Sequence, residues 1–102
     1  MINAVAIVKV KSGMRDAFLD AFHENARVAR SLPGCIAYGV GIDMQGGPPF
    51  QTLCGEDGLV IQEVWADMQS LSSHASGAHM KEFGARTKGM VESRAIYLLE
   101  PQ

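Results

Sequence analysis

The apolar positions of the chain follow two periods, and the changes between them predict its elements. Residues 2–11, INAVAIVKVK, are β-rich and apolar on both alternating faces through the middle, which is typical of a central strand. After Gly13, apolar residues at helical spacing predict an amphipathic helix to about Ser31. The stripe of this helix comprises Met14, Phe18, Ala21, Phe22, Asn25, Val28, Ala29 and Leu32. Pro33-Gly34 then ends the helix.

Three more strands are predicted after this helix. In the first of them bulky residues alternate with small ones, the bulky ones being Ile36, Tyr38, Val40 and Ile42. The segment Gln45–Gly58 is rich in glycine and proline, carries Phe50, and predicts a long loop. LVIQEVW, residues 59–65, alternates again, and the last strand is predicted from about Met90 to Leu99.

The element order βαββαβ predicts one domain over residues 1–102 with a ferredoxin-like α+β fold. In this fold an antiparallel sheet carries both helices on one face, which leaves the other face bare. The predicted strands have apolar residues on both faces, so water is a poor neighbour for the bare side. We therefore expect a homodimer with two-fold symmetry, in which two sheets pack into a barrel.

The third strand and the residues after it contain the most informative stretch of the sequence. Its alternation places Glu63 and Trp65 on the same face as apolar residues. A carboxylate is unexpected in such a row and therefore suggests a specific role. Asp67 is predicted to cap the next helix. Within that helix, His74 follows Leu71 by three positions, so we expect its imidazole to pack against the sheet.

Ser76-Gly77 is predicted to interrupt this helix, with Ser76 capping a second segment. In that segment His79 and Phe83 repeat at a spacing of four, with Met80 beside them. Two imidazoles are therefore expected to approach one apolar region from two short helices.

Composition narrows the range of partners. The chain has 102 residues, 47% of them hydrophobic, and a net charge of -2 with scattered cations. Such a charge distribution indicates neither nucleic acid nor a membrane surface as partner, and favours a small molecule or a second copy. The apolar run Ala4–Val8 is too short for a signal sequence, so a cytoplasmic location is predicted. Cys35 and Cys54 are expected to be free thiols.

General acid and base chemistry suits these residues better than the alternatives. No metal is expected, because His74 and His79 are five positions apart, whereas one helix face presents ligands three or four apart. Ser72, Ser73 and Cys54 lack the pattern of an activated nucleophile. An imidazole on an apolar wall titrates near neutrality and can accept a proton from a phenol-like substrate. The alternative is that these histidines and aromatic residues are packing groups of the core.

The sequence resembles the antibiotic biosynthesis monooxygenase family, and within it the small bacterial quinol monooxygenases. The likeness runs from Val5 to Pro101 and is carried by PGC-x-x-Y, FQ, E-x-W, the spaced histidines with HM-K-x-F, and a final L-x-P. It implies a dimeric α+β barrel that oxygenates quinols or hydroxylated polycyclic aromatic compounds with O₂, without flavin, haem or metal. It also places Trp65, His74, His79 and Phe83 around a cavity between helices and sheet.

From the residues and the resemblance together we predict a cofactor-independent monooxygenase. The predicted catalytic residues are His74, His79 and Glu63, with Glu63 orienting an imidazole. The predicted substrate contacts are Trp65, Tyr38, Met80, Phe83 and Phe50. His74 is the favoured base, and His79 the favoured substrate contact.

Proteins of this fold offer two alternative functions. The haem-degrading branch of the same superfamily has an asparagine, a tryptophan and an iron-ligating histidine where this chain has Ala6, His74 and Gly84, which disfavours haem degradation. A dimeric barrel that binds a small aromatic ligand without turnover, or serves in stress, remains the alternative, because a fold by itself specifies no chemistry.

Overall fold

The strands and helices occur in the predicted order, with the second helical region divided in two. A computed structural model describes residues 1–102 as β1 (Ile2–Val10), α1 (Arg15–Ala29), β2 (Cys35–Gly41), β3 (Gly58–Trp65), α2 (Met68–Ala75), α3 (Ala78–Thr87) and β4 (Val91–Leu99). The four strands form one sheet in the order β2-β3-β1-β4, and every pairing is antiparallel. The predicted ferredoxin-like α+β fold is confirmed, with β1 as an inner strand. No helix has the length and apolar character needed to cross a bilayer.

The register of the sheet determines which side chains face the helices. Ala4 of β1 pairs with Glu63 of β3, and Tyr38 of β2 pairs with the same Glu63. Directly paired residues project from the same face of a sheet, so these side chains lie side by side under the helices. Trp65 lies two residues further along that face and is fully buried.

Helix α1 supplies the other half of the core. Phe18, Phe22 and Ala26 are buried against the sheet. The helix ends at Ala29, two residues before the predicted end. Val28 was expected in the buried stripe but is 42% exposed. It lies instead at the groove between α1 and α3.

Two details of β2 and α3 differ from expectation. A register shift between Cys35 and Ala37 leaves Ile36 57% exposed, so the predicted bulky face does not begin there. Ser76 was expected to cap α3 but closes α2, because its hydroxyl and its N–H both donate to the Ser72 carbonyl. Gly77 precedes α3 and provides no side-chain cap. The predicted cap of α2 is present, since Asp67 accepts the Ser70 N–H at 2.8 Å.

The face of the sheet turned away from the helices is apolar and uncovered. Ile7 is 47% exposed, and the β4 residues Tyr97 and Leu99 are 52% and 48% exposed. Tyr97 pairs with Val5 and Leu99 with Asn3, so these side chains share that face. β4 is an edge strand with almost no buried residue on either side. We call this surface the uncovered sheet face.

The predicted long loop covers residues 42–57. The Asp43 carboxylate holds it together by accepting the N–H groups of Cys54 and Gly55, both at 2.8 Å. These two bonds to the charged form lower the pKa of Asp43 below its usual value. Phe50, at the tip of the loop, is 88% exposed.

Candidate active site

A partly buried carboxylate, Glu63, lies next to a buried imidazole, His74, at the centre of the helix-covered face. Glu63 Oε1 accepts the indole N–H of Trp65 at 2.8 Å, and the same oxygen is 3.8 Å from His74 Nε2. His74 is 2% exposed, as its position in the α2 pattern predicts. Its Nε2 has no hydrogen-bond partner within 3.5 Å, although it is buried. The only negative group facing this nitrogen within 4.0 Å is the Glu63 carboxylate.

The two histidines are in direct contact across the break between α2 and α3. His74 Nδ1 is 2.8 Å from His79 Nε2, a hydrogen bond in which one imidazole donates and the other accepts. If His74 Nε2 carried a lone pair, that lone pair would be repelled by the negative Glu63 carboxylate. An N–H group on the same nitrogen is attracted to the carboxylate. We therefore assign the proton to His74 Nε2, so that His79 Nε2–H donates to His74 Nδ1. This tautomer leaves His79 Nδ1 as a free acceptor. We call Glu63, His74 and His79 the carboxylate–histidine chain.

Burial sets the protonation of this chain. Loss of solvent and, to a smaller extent, the neighbouring His79 together lower the pKa of His74 from 6.5 to about 4. His74 is thus neutral at pH 7. Burial also raises the pKa of Glu63, which the hydrogen bond from Trp65 partly opposes. The pKa of Tyr38 is raised well above its usual range, by burial first and by the Glu63 charge second.

Aromatic rings enclose the chain on the sheet side. The Trp65 and His74 rings are stacked with centroids 4.8 Å apart, and Tyr38 meets His74 edge-on at 5.2 Å. Phe22 stacks in turn on Tyr38 at 5.3 Å. Phe83 packs against Phe18 and Phe22 with centroids 5.6 and 6.5 Å apart. These contacts fix the orientation of the imidazole of His74.

His79 reaches a cavity, whereas His74 does not. A cavity of about 200 Å³ lies between α1 and α3, and we call it the α1–α3 cavity. Its lining residues are Ala21, Glu24, Asn25, Val28, His79, Glu82, Phe83 and Arg86. An ion pair between Glu24 and Arg86 joins the two helices at this cavity. His79 therefore links the buried carboxylate–histidine chain to a space that a ligand can occupy.

Gly77 keeps one edge of the His79 ring open. A Cβ at this position would lie 2.7 Å from His79 Nδ1 and 2.6 Å from its Cε1, closer than any real side chain permits. The backbone of Gly77 has φ of -69°, which every residue can adopt, so the need for glycine here comes chiefly from the imidazole, and to a smaller extent from the His74 carbonyl oxygen 3.2 Å from the added Cβ. The dipeptide Ser76-Gly77, expected only to break a helix, thus also makes room for His79.

Sequence reasoning missed Asn25 as a site residue. This side chain on α1 is 5% exposed and lines the α1–α3 cavity. Its Nδ2 donates to the Tyr38 hydroxyl at 3.1 Å and to the Met80 sulfur at 3.3 Å. A polar residue inside an otherwise apolar helical stripe was the signal that could have identified it.

Seven of the eight predicted site residues lie in this cluster, and Phe50 does not. Tyr38, Met80 and Phe83 contact the histidines, Asn25 or the α1–α3 cavity, as described above. Phe50 is on the loop, and its exposed side chain is not brought to the histidines. A larger cavity of about 520 Å³ lies within the same loop but contains no histidine or aromatic residue. No three histidine, cysteine or carboxylate side chains converge as metal ligands.

The fold and this cluster define a ferredoxin-like α+β domain with a buried histidine pair beside a ligand-sized cavity. The profile described as antibiotic biosynthesis monooxygenase matches residues 1–86, and the chain belongs to that family. The protein named "Probable quinol monooxygenase YgiN" from Escherichia coli K12 is 29% identical over 103 residues, which cover 99% of this chain and 98% of YgiN. The resemblance inferred from the sequence is thereby confirmed.

Solved structures support the same fold. PA3566 from Pseudomonas aeruginosa superposes with a TM-score of 0.83 at 17% identity, covering 99% of this chain and 93% of that protein. A conserved protein from Methanosarcina mazei Go1 gives a TM-score of 0.84 at 22% identity, covering 99% and 92%. At these identities the likeness concerns the fold alone.

Proposed function

We propose that this protein is a monooxygenase that oxidises a quinol or a related hydroxylated aromatic compound with O₂ and needs no cofactor. The observation that carries the proposal is the carboxylate–histidine chain, which runs from partly buried Glu63 through buried His74 to His79 at the α1–α3 cavity. Membership of the monooxygenase family and the likeness to YgiN support this class of reaction.

His79 removes the hydroxyl proton of the substrate in this proposal. In the assigned tautomer, the His79 Nδ1 atom carries a lone pair and makes no hydrogen bond within the protein, so it is free to accept a proton. As His79 gains the proton, its Nε2–H strengthens its bond to His74 Nδ1, and the His74 Nε2–H turns to Glu63. The 3.8 Å between His74 Nε2 and Glu63 Oε1 shortens in this step, as hydrogen bonds of catalytic groups often do when substrate binds. His74 thus acts as base through His79, rather than by touching the substrate.

Deprotonation makes the substrate itself the reductant of O₂. The quinolate passes an electron to O₂, and recombination forms a C–O bond on the ring. Loss of water from the resulting hydroperoxide leaves a hydroxyquinone, so that quinol and O₂ give hydroxyquinone and water with atoms and electrons balanced. The protein contributes the base and a cavity that orients the substrate, with Ala21, Val28 and Phe83 as its apolar lining.

A dimer is part of the proposal, because the uncovered sheet face needs a partner. Ile7, Tyr97 and Leu99 form an exposed apolar patch on this face, of a kind that usually marks an interaction surface. Sedimentation equilibrium at micromolar concentration is expected to give twice the 11.0 kDa mass of one chain. Tyr97→Asp places a charge in the interface and should shift the mass toward one chain. A monomeric wild-type protein would contradict the dimer.

Oxygen consumption tests the proposed reaction. Purified protein treated with a chelator is expected to accelerate O₂ uptake by reduced naphthoquinols above their spontaneous oxidation. The hydroxyquinone product should carry one atom of ¹⁸O from ¹⁸O₂, with the second atom in water. Tight quinol binding without uptake above the uncatalysed rate would instead indicate a ligand-binding protein.

A further inference from the structure

We infer that Asn25 recognises a hydroxyl group of the ligand in the α1–α3 cavity, and that it thereby selects hydroxylated one-ring or two-ring aromatic compounds over quinones and ethers. This inference rests on the proposed function for the identity of the ligand, but its binding test does not depend on turnover.

The amide of Asn25 has one polar atom without a partner. Both hydrogens of Nδ2 are used, one toward the Tyr38 hydroxyl and one toward the Met80 sulfur. A thioether sulfur accepts hydrogen bonds and cannot donate them, so the nitrogen must face Met80. The oxygen Oδ1 therefore points elsewhere, and it is buried with no partner in the protein.

An unpaired carbonyl oxygen on a side chain that is only 5% exposed calls for an explanation. Asn25 lines the α1–α3 cavity together with His79, but Oδ1 itself is closed off from solvent, so a ligand hydroxyl supplies the missing donor only once a lining side chain has moved aside. The Tyr38 ring, which bonds the amide from the sheet side, is itself held by packing against Phe22 and Trp65. Asn25 is accordingly held rigidly, as a specificity-determining group should be.

The chemistry of Asn25 dictates what it can recognise. With both N–H groups already donated, only Oδ1 is available, and an oxygen of this kind accepts but never donates. A phenolic hydroxyl satisfies it. A quinone carbonyl or a methyl ether brings a second acceptor and leaves both oxygens unpaired.

The volume of the cavity indicates the size of ring system that it can hold, while larger substituents can extend into solvent because the cavity is partly open. Its volume is about 200 Å³. An engineered protein cavity of ~150 Å³ accommodates benzene. One or two fused rings with hydroxyl substituents therefore suit the site, and Phe83 supplies an apolar wall beside them.

The test is anaerobic binding of 2-naphthol and of 2-methoxynaphthalene, measured by calorimetry. Wild-type protein is expected to bind the naphthol about tenfold more tightly or better, the worth of one good hydrogen bond. Asn25→Leu, which has a similar shape but no amide, should bind both compounds equally. Asn3→Leu is the matched control, because Asn3 also has a buried unpaired Oδ1 but does not line the α1–α3 cavity. It should retain the preference.

Wild-type measurements keep the inference testable if Asn25→Leu folds poorly. The side-chain amide resonances of Asn25 should shift on addition of 2-naphthol and not of its methyl ether. Equal affinity of wild-type protein for both compounds, an unchanged preference in a folded Asn25→Leu variant, or no binding of either would overturn the role of Asn25. A hydroxyl preference without any oxygen uptake would refute the proposed oxygenase and leave this inference standing.

Discussion

Replacement of His79 by glutamine is expected to lower quinol turnover about 100-fold or more, because general base catalysis typically supplies about two to four orders of magnitude. Glutamine retains a polar side chain of similar reach but has no nitrogen that can accept a proton from the substrate. His79 is only half-buried at the α1–α3 cavity, so the melting temperature should change little. Oxygen uptake and thermal unfolding of the same preparations measure both effects.

His74→Gln separates the second histidine from the first. His74 is 2% exposed and packs between Trp65 and Tyr38, so this variant should lose stability as well as turnover. His23→Gln is the matched control for both variants, since His23 is the third histidine and is exposed on α1. Wild-type rates in both His74→Gln and His79→Gln would eliminate the carboxylate–histidine chain as the base.

Two glycine substitutions test whether the position of the His79 imidazole matters, in addition to its presence. Gly77→Ala should displace the His79 ring or cover its Nδ1, and so reduce turnover while His79 is still in the chain. The ring lies at the free end of a side chain, so little stability should be lost. Gly84→Ala lies in α3, where an added Cβ meets nothing within 4 Å. It should leave turnover intact and stabilise the helix by about 0.5–1 kcal/mol.

Acidification is expected to weaken the fold through His74. Its pKa is 6.5 in an unfolded chain and about 4 in the folded protein, so between these values the unfolded chain holds a proton that the folded chain does not. The free energy of unfolding therefore falls as the pH drops from 6.5 to 4. The shift of about 2.5 pKa units corresponds to about 3 kcal/mol, complete below pH 4 and absent above pH 6.5.

Glu63 acts in the opposite direction and must be separated from His74. Burial raises its pKa, so the folded protein binds this proton at a higher pH than the unfolded chain does. On acidification that uptake favours the folded state. Urea unfolding at several pH values gives the free energy of unfolding of wild-type protein and of His74→Gln as a function of pH. The difference between the two pH dependences is the contribution of His74. Parallel pH dependences of the two proteins would show that His74 is not a buried neutral imidazole.

Much of the fold follows from local pattern. The strand and helix periods predicted the sheet and the helix positions, and the same reasoning placed Glu63 and Trp65 on one face of the strand and His74 against the sheet. These predictions succeed because the spacing of apolar residues, and the face that they bury, are determined within a single strand or helix. Ile36 departs from the pattern because a register shift depends on how β2 pairs with β3, which its own residues do not encode.

The contacts between elements were harder to predict. The His74–His79 bond depends on the angle between two short helices, which the dipeptide Ser76-Gly77 does not specify. Asn25 fits the α1 stripe by its spacing, and its partner Met80 is 55 residues away, so the pattern of α1 alone does not identify it as a site residue. Phe50 is a predicted substrate contact, yet its loop carries it to the surface.

Trp65, the only tryptophan, gives the protein a built-in optical reporter. Its indole is fully buried, stacked on His74 and bonded to Glu63, so all tryptophan fluorescence originates at the carboxylate–histidine chain. A protonated imidazole quenches indole emission by electron transfer, whereas a neutral one does so weakly. The emission intensity of the unmodified protein therefore follows the charge of His74 directly, without a label and without substrate.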